Sequence, residues 1–476
     1  MDVYCRFVSM KNFFLFLFAS AIIISATSCK KDSFITSPDA RLRISEDSLK
    51  FDTVFTTTGS ITKSFKIVNE NDQRLRLSSV KLMGGNSGAF KMNVNGMPGS
   101  ALTNLDIAAN DSIYVFVSVF VNPSAANLPF IISDSIFIEY NNTVRFVQLQ
   151  AYGQNAHFFT NQFINTSTAW PNDLPYVILG SLQVNANVTL ALSPGVKIYV
   201  HADAPILIDG TLLTNGTAAS PIVFTGDRLD EPYKNFPASW PGIYFRSNSK
   251  NNLMRFTNVK NAFQAIGVSG PSVNANPKLV LQQCIIDNAY NAGIFCSNTS
   301  ISATNTLVSN CANNINIELG GSYTFTHCTV ASYSTNFILH KTPVLNVSNF
   351  AIQNGSSVTG NLQADFTNCI FWGDNGFVEN EVLVNKQGTN VFNVNFKNSL
   401  YKATTDPANS TLSAVIKNQN PFFDSIDVVN RYYDFRHTLN SFAPGINKGS
   451  TSTVTTDLDN KPRPVGLPDM GSYEKQ

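Results

Sequence analysis

Charge is scarce in this chain. Only 14% of its 476 residues are Asp, Glu, Lys or Arg, and 33 basic against 32 acidic side chains leave a net charge of +1. Without a basic field or an acidic tail, neither nucleic acid nor a strongly charged protein partner is expected. Cysteine supplies no framework either. Beyond Cys5 and Cys29 there are five, Cys284, Cys296, Cys311, Cys328 and Cys369, an odd number with no CxxC pair. A disulfide scaffold and a zinc ribbon are therefore not predicted, and no metal or cofactor is expected. Aromatic residues, in contrast, are plentiful: 36 Phe and 15 Tyr accompany moderate Gly and Pro. That mixture suits many short strands and tight turns, so an all-β chain is predicted, with more than one domain unless it repeats.

At the N-terminus, Arg6 and Lys11 precede the apolar run "FFLFLFASAIIIS" (13–25), which is shorter than a membrane-spanning helix needs. Ala26, Thr27 and Ser28 then lead into Cys29. The arrangement resembles a bacterial lipobox, although the motif more often has Leu where Ala26 stands. The resemblance implies a lipoprotein signal peptide over 1–28, lipidation of Cys29 and a polar membrane tether over 29–39. Lys30 after the cysteine resembles sorting to the outer membrane, facing the periplasm or the cell surface.

Residues 40–154 alternate apolar and polar positions in short bursts such as "SLKFDTVF", "SFKIVN", "SIYVFVSVFV" and "VRFVQLQAYG", separated by turn clusters. Some seven strands at this spacing predict an antiparallel sandwich. The pattern is similar to the immunoglobulin-like modules that precede larger bacterial surface domains, which implies a spacer.

Further along, one phrase recurs. "MRFTNVKN" (254–261), "LVLQQCII" (279–286), "ISATNTLV" (301–308), "YTFTHCTV" (323–330), "LNVSNFAI" (345–352), "ADFTNCIF" (364–371) and "VNFKNSLY" (394–401) fit one template. Its cysteine column holds Val259, Cys284, Thr306, Cys328, Phe350, Cys369 and Ser399, spaced 25, 22, 22, 22, 19 and 30 residues apart. A period near 22 means coils of a repeating unit. Apolar positions on both sides of that column break strict alternation, so a bend must separate two short strands. The bend falls at Asn258, Gln283, Asn305, His327, Asn349, Asn368 and Asn398. Asn is the non-glycine residue that most readily takes left-handed backbone angles, and His is also enriched there.

Short strands at this period with an Asn bend resemble the right-handed parallel β-helix of the pectin-lyase-like superfamily, over residues 155–430. The final segment, 431–476, with "YDFRHTLNSFAPGINKGS" and "DLDNKPRPVGLPDMGSYE", resembles the ending of choice-of-anchor Q β-helix proteins and implies a C-terminal cap. Its Asp457, Asp459, Arg463, Asp469 and Glu474 are predicted to form a closing hydrogen-bond network, with a calcium site as the alternative. In this register Cys284 and Cys328 are two rungs apart, too far for a disulfide, and the cysteines are predicted to fill the core.

Some β-helix proteins cleave polysaccharides. This chain lacks the polygalacturonase-type "NTD", "DD" and "GHG" phrases and the pectate-lyase-type "WIDH" and "RxPxxR". Its carboxylates, among them Asp287, Glu318, Asp365 and Asp374, do not recur in register, and Glu379 with Glu381 reads as a solvated surface pair. The insertion "DRLDEPYKNFPASW" (227–240) gathers Arg228, Asp230, Glu231, Tyr233, Lys234 and Trp240. Aromatic faces beside hydrogen-bonding groups suit sugar rings, so these six are the candidate glycan-binding residues, with a loop covering the coil as the structural alternative. The expectation is a lipid-anchored envelope protein that binds glycan or other surface components without catalysis. A polysaccharide lyase or glycoside hydrolase, and a purely structural or adhesive stalk, are the alternatives.

Overall fold

The computed structural model describes residues 33–56, 59–122, 130–374, 377–437 and 442–476. The segment read as a signal peptide, 1–28, and Cys29 lie outside the described residues. The chain forms two compact units that divide between Gln154 and Asn155.

The first unit is all-β. Strands β1 (Leu42–Ile44), β2 (Ser48–Phe55), β3 (Lys63–Asn69), β4 (Leu75–Leu82), β5 (Phe90–Val94), β6 (Met97–Pro98), β7 (Ala101–Ile107), β8 (Ser112–Val119), β9 (Phe130–Tyr140) and β10 (Thr143–Gln154) make two five-stranded sheets. Their orders are β1-β3-β8-β5-β6 and β2-β10-β9-β4-β7. Alternation in the strands turns one face of each sheet inward, so Phe65, Val115 and Val117 meet Phe51, Leu77 and Ile138 in a shared core. The pairing is antiparallel except where β10 runs parallel to β2. Of the residues read as a tether, 33–39 are tied to this unit: Ile35 N–H donates to the Arg74 carbonyl at 2.8 Å, and Asn141 Nδ2 donates to the carbonyls of Ile35 and Ser37.

The second unit is a parallel β-helix. Its coils stack three parallel ladders. Ladder A runs through Thr257–Lys260, Ile285–Asp287, Leu307–Ser309, Thr329–Tyr333, Ile370–Asp374 and Leu400–Tyr401. Ladder B includes Gln264–Ser269, Leu345–Ser348 and Val382–Asn385. Ladder C includes Leu279–Gln282, Leu362–Thr367 and Phe392–Lys397, and the long strands Ala292–Thr304 and Asn313–Thr326 serve both B and C.

The bend between C and A is the one expected, and the inward columns stack. Gln283, Asn305, His327, Asn368 and Asn398 have φ between 45° and 57°. Leu281, Ala303, Phe325, Phe366 and Phe396 lie in register, with ring centroids 5.4 and 4.9 Å apart along the three phenylalanines. Two phrases of the template do not stack as read. In the first, Val259 pairs with Ile286, so the bend is Phe256 (φ 43°) and not Asn258. In the fifth, Leu345–Ser348 belongs to ladder B, and Phe350–Gln353 leaves the helix to form a hairpin with Ser356–Thr359. Asn349 is no bend; its amide bonds to Gly360 and Gln387. One coil with an excursion therefore replaces two, and Cys328 and Cys369 sit on adjacent rungs, with Ile370 N–H donating to the Cys328 carbonyl at 2.9 Å. All five cysteines are buried and free, and burial raises the thiol pKa at Cys284, Cys296, Cys311 and Cys369.

Among the described residues, the hydrogen bonds of the C-terminal segment go to the bends of earlier coils and not to the last one, Thr411–Lys417. The segment runs back along ladder A beside the bend column. Asn398 Nδ2 donates to the Lys448 carbonyl, Asn368 shares three bonds with Ser450, and Asn305 Nδ2 donates to the Thr456 carbonyl. His327 Nδ1 faces the Asp469 carbonyl at 3.1 Å and so carries the proton, which leaves Nε2 to accept from Asn368 Nδ2 at 3.0 Å. Burial, reinforced by Arg463, pushes the His327 pKa down to about 3. A second apolar layer forms underneath, where Leu307, Ile370, Trp372 and Leu400 meet Phe435, Leu458 and Met470.

Candidate functional site

The six residues singled out in the insertion come together only in part. Arg228 forms a fork with Asp230 (Nε–Oδ1 2.7 Å, Nη2–Oδ2 2.9 Å) and lies 4.1 Å from the Tyr233 ring centroid. Lys234 pairs with Glu231 at 2.6 Å across a short helical turn, Tyr233–Asn235. Tyr233 keeps an exposed ring. Trp240 must be removed from the glycan-binding set. It is fully buried, its indole N–H donates to the Lys260 carbonyl at 2.8 Å, and it presents no face to a ligand. A large apolar ring in the middle of an inward column is better placed in the core than in water.

The same loop forms one wall of a cleft on the flank. Asn235, Asn261, Asn288, Asn310, Arg431 and Tyr433 help line a space of about 240 Å³, together with Lys260 and Asp287. Its floor follows from the coil geometry. Asn261, Asn288 and Asn310 each take a left-handed φ (64°, 59° and 52°) where ladder A turns toward ladder B, so their amides recur on successive coils. Asn288 Nδ2 donates to the Asn235 carbonyl and to Asn261 Oδ1, and Asn261 Nδ2 donates to the Lys234 carbonyl. The far wall is an antiparallel hairpin that follows the last coil, Phe423–Asp427 paired with Tyr432–His437. Arg431 Nη2 donates to the Asn235 carbonyl at 2.7 Å and stacks on Phe337, which in turn meets Phe236 at 4.7 Å.

Among the described residues, two buried polar atoms of this lining have no protein partner: Asn288 Oδ1 and the Tyr433 hydroxyl. An unmet buried polar group costs about 1–3 kcal/mol, so each would gain from a ligand hydroxyl or amide admitted by a small side-chain movement. Burial, with Asp287 nearby, pushes the Tyr433 pKa up to about 12, which keeps its hydroxyl neutral and able both to donate and to accept. Asp287 is the one carboxylate in the lining, and its Oδ1 already accepts from Ser309 and Asn310. Two residues beyond Asn261 and Asn288, the exposed rings of Phe263 and Tyr290 lie 6.0 Å apart on successive coils.

Other candidate acids are committed elsewhere. Glu381 is not on the surface with Glu379. It is buried against His340 at 2.8 Å, in a gap that exists because residue 373 is glycine: a Cβ there would come within 2.2 Å of both partners. Arg463 and Glu474 form a fully buried pair at 2.9 Å, while Asp457, Asp469 and Glu474 all accept backbone N–H groups. Those carboxylates hold the C-terminal segment in its fold. Among the described residues, no group of three or more His, Cys, Asp or Glu side chains is placed to hold a metal ion, and no helix is long and apolar enough to cross a membrane.

The polyamide column was missed in the sequence, although "KNAF", "DNAY" and "SNCA" carry it at spacings of 27 and 22 residues. Its partners Asn235 and Tyr433 come from remote excursions that no local pattern announces.

The fold defines the protein as a parallel β-helix preceded by an all-β unit. No family model and no curated protein matches the chain. Solved structures similar to it include a family 123 glycoside hydrolase from Clostridium perfringens, with 11% identity over 24% of this chain and 26% of that one and a TM-score of 0.17. The chain thus spans about a quarter of that protein. WR4, a member of the C. elegans MSP family, matches at 14% identity over 24% of this chain and 98% of its own, with a TM-score of 0.16. The catalytic unit of a GH87 α-1,3-glucanase from Streptomyces thermodiastaticus strain HF3-3 matches at 12% identity over 75% and 89%, with a TM-score of 0.25. Scores this low leave the functional reading to the geometry of the site.

Proposed function

We propose that this is a lipid-anchored protein of the bacterial outer membrane whose β-helix binds glycan in the flank cleft without turning it over. The observation that carries the binding reading is the pair of buried, unpartnered polar atoms, Asn288 Oδ1 and the Tyr433 hydroxyl, within an amide-rich lining. Amides and a neutral phenol match sugar hydroxyls in both donor and acceptor roles, and the Phe263 and Tyr290 rings offer apolar faces nearby. About 240 Å³ is below the range of drug-sized pockets, so the cleft suits a single ring or a chain end. Most glycoside hydrolases use two carboxylates about 5–9.5 Å apart, and this lining supplies Asp287 alone. Anchoring rests on the lipobox-like "ATSC" ending at Cys29.

Binding and anchoring are tested separately. On a panel of mono- and oligosaccharides, acidic and neutral, the Tyr433→Phe variant should lose about tenfold in affinity for the sugar held in the flank cleft, equivalent to one hydrogen bond of about 1.4 kcal/mol. Release of reducing ends or unsaturated products from any of them would end the non-catalytic reading. Cys29→Ala should leave the membrane fraction, and a variant that stays there would count against lipidation.

A further inference from the structure

The flank cleft leaves a larger groove unexplained, on the outward face of ladder C. It holds about 520 Å³, and none of its fifteen lining residues is ionisable; ten are Ser, Thr or Asn. The floor is a parallel array in register, with Ser300 beside Ser322 and Ser302 beside Thr324 on consecutive coils. Among the described residues, the hydroxyls of Ser302, Ser322 and Thr324 bond to no protein group, while Ser300 Oγ accepts from Lys278 N–H. Thr299, also in the lining and only 2% exposed, has its Oγ1 unpartnered among the described residues.

The wall opposite is preformed. In the loop 271–277, Ser272 Oγ donates to the Asn276 carbonyl at 2.6 Å, and the amides of Asn274 and Asn276 both donate to Asn251 Oδ1 at 3.0 Å. Its base is pinned by Lys278, whose buried ammonium donates to the carbonyls of Ser269 (2.7 Å), Ser247 (3.0 Å) and Arg246 (3.3 Å). That cation is spent on carbonyls and does not line the groove. On the turn into ladder C, Gly321 (φ 120°) lets the Thr299 backbone approach: a Cβ would lie 2.2 Å from the Thr299 carbonyl oxygen.

The geometry points to this groove as a second binding site, for an uncharged glycan chain. An acidic polymer would find no cation in the lining, and a basic one no carboxylate, so charged ligands would lose solvation without compensation. A protein partner wants an apolar, aromatic centre, whereas this lining has no aromatic residue and its one large apolar residue, Ile301, is buried. Serine, threonine and asparagine groups that donate and accept, recurring at the strand spacing of about 4.8 Å, fit a neutral polyhydroxylated chain laid along the coils.

The experiment uses the full-length protein with dextran, a soluble β-1,3-glucan and polygalacturonate as probes in affinity electrophoresis and calorimetry. At least one neutral glucan should bind and polygalacturonate should not compete for it. Thr324→Trp, which fills the groove from an outward strand position, should weaken neutral binding at least tenfold, and Thr324→Val should weaken it several-fold with an unchanged melting temperature. Tyr433→Phe, in the flank cleft, should leave it unaltered. Failure of both glucans to bind would overturn the proposal, as would wild-type affinity in Thr324→Trp. Neutral binding lost in Tyr433→Phe but kept in Thr324→Trp would also overturn it, while leaving the flank reading intact.

Discussion

Ladders A and C meet at the same bend, yet their outward columns differ. On A the column reads Ile285, Leu307, Thr329, Ile370, Leu400 and Ile416; on C it reads Val280, Ser302, Thr324, Asp365, Asn395 and Thr411. A strand buried on both faces reads as a continuous apolar run, and one solvated on its outer face alternates. Thr329–Tyr333 is buried at every position, whereas Leu362–Thr367 alternates strictly. The contrast locates the cover: the C-terminal segment lies on A, and C stays open to a ligand. Thr329 breaks the apolar column because its Oγ1 accepts the Ser472 N–H, a polar anchor within the seam.

The most damaging way to break the contrast is to strip charge from the cover. Arg463→Ala would leave Glu474 buried without its partner, and the loss should be about 3–5 kcal/mol by urea denaturation. Leu400→Ala, which hollows the seam between ladder A and the cover, should cost about 2–4 kcal/mol in the same assay. Acid should act on the cover as well. His327 and His437 have pKa values lowered by burial to about 3 and about 4, against 6.5 for the free side chain. Between those limits the unfolded chain binds protons that the folded one refuses. Stability is therefore fully present above about pH 6.5 and is lost as pH falls, by roughly 2 kcal/mol per histidine near pH 4.5. Melting temperatures that stay flat from pH 7 to 4.5 would mean that neither histidine is held neutral.

Much of the β-helix could be read from its repeat, because inward columns and bends are local and periodic. The bend was right wherever Gln, Asn or His took the left-handed angles, and wrong where Phe256 took them or where Asn349 matched by spelling alone. A better signal for the second error lay in "NG" at 354–355, both residues at positive φ, which marks the hairpin that lengthens that coil. The placement of the cover was illegible for another reason. Ser450 meets Asn368 across 82 residues, and such a pairing leaves no period in the sequence. The cleft shares that limit, since its amide column is periodic while Asn235, Arg431 and Tyr433 are supplied by excursions.

The smallest expected effect sharpens the contrast most directly. Thr326 occupies ladder C beside Thr304 and Thr367, partly exposed, and its hydroxyl has no protein partner among the described residues. Thr326→Ala removes a solvated group and opens no cavity, so its cost should stay within about 0.5 kcal/mol. The corresponding exchange on A, Thr329→Ala, strips the acceptor from the Ser472 N–H and should cost about 1–3 kcal/mol, because a buried donor is left unmet. Equal losses in the two variants would mean that ladder C is covered too, and the groove would then be an internal seam instead of a binding surface.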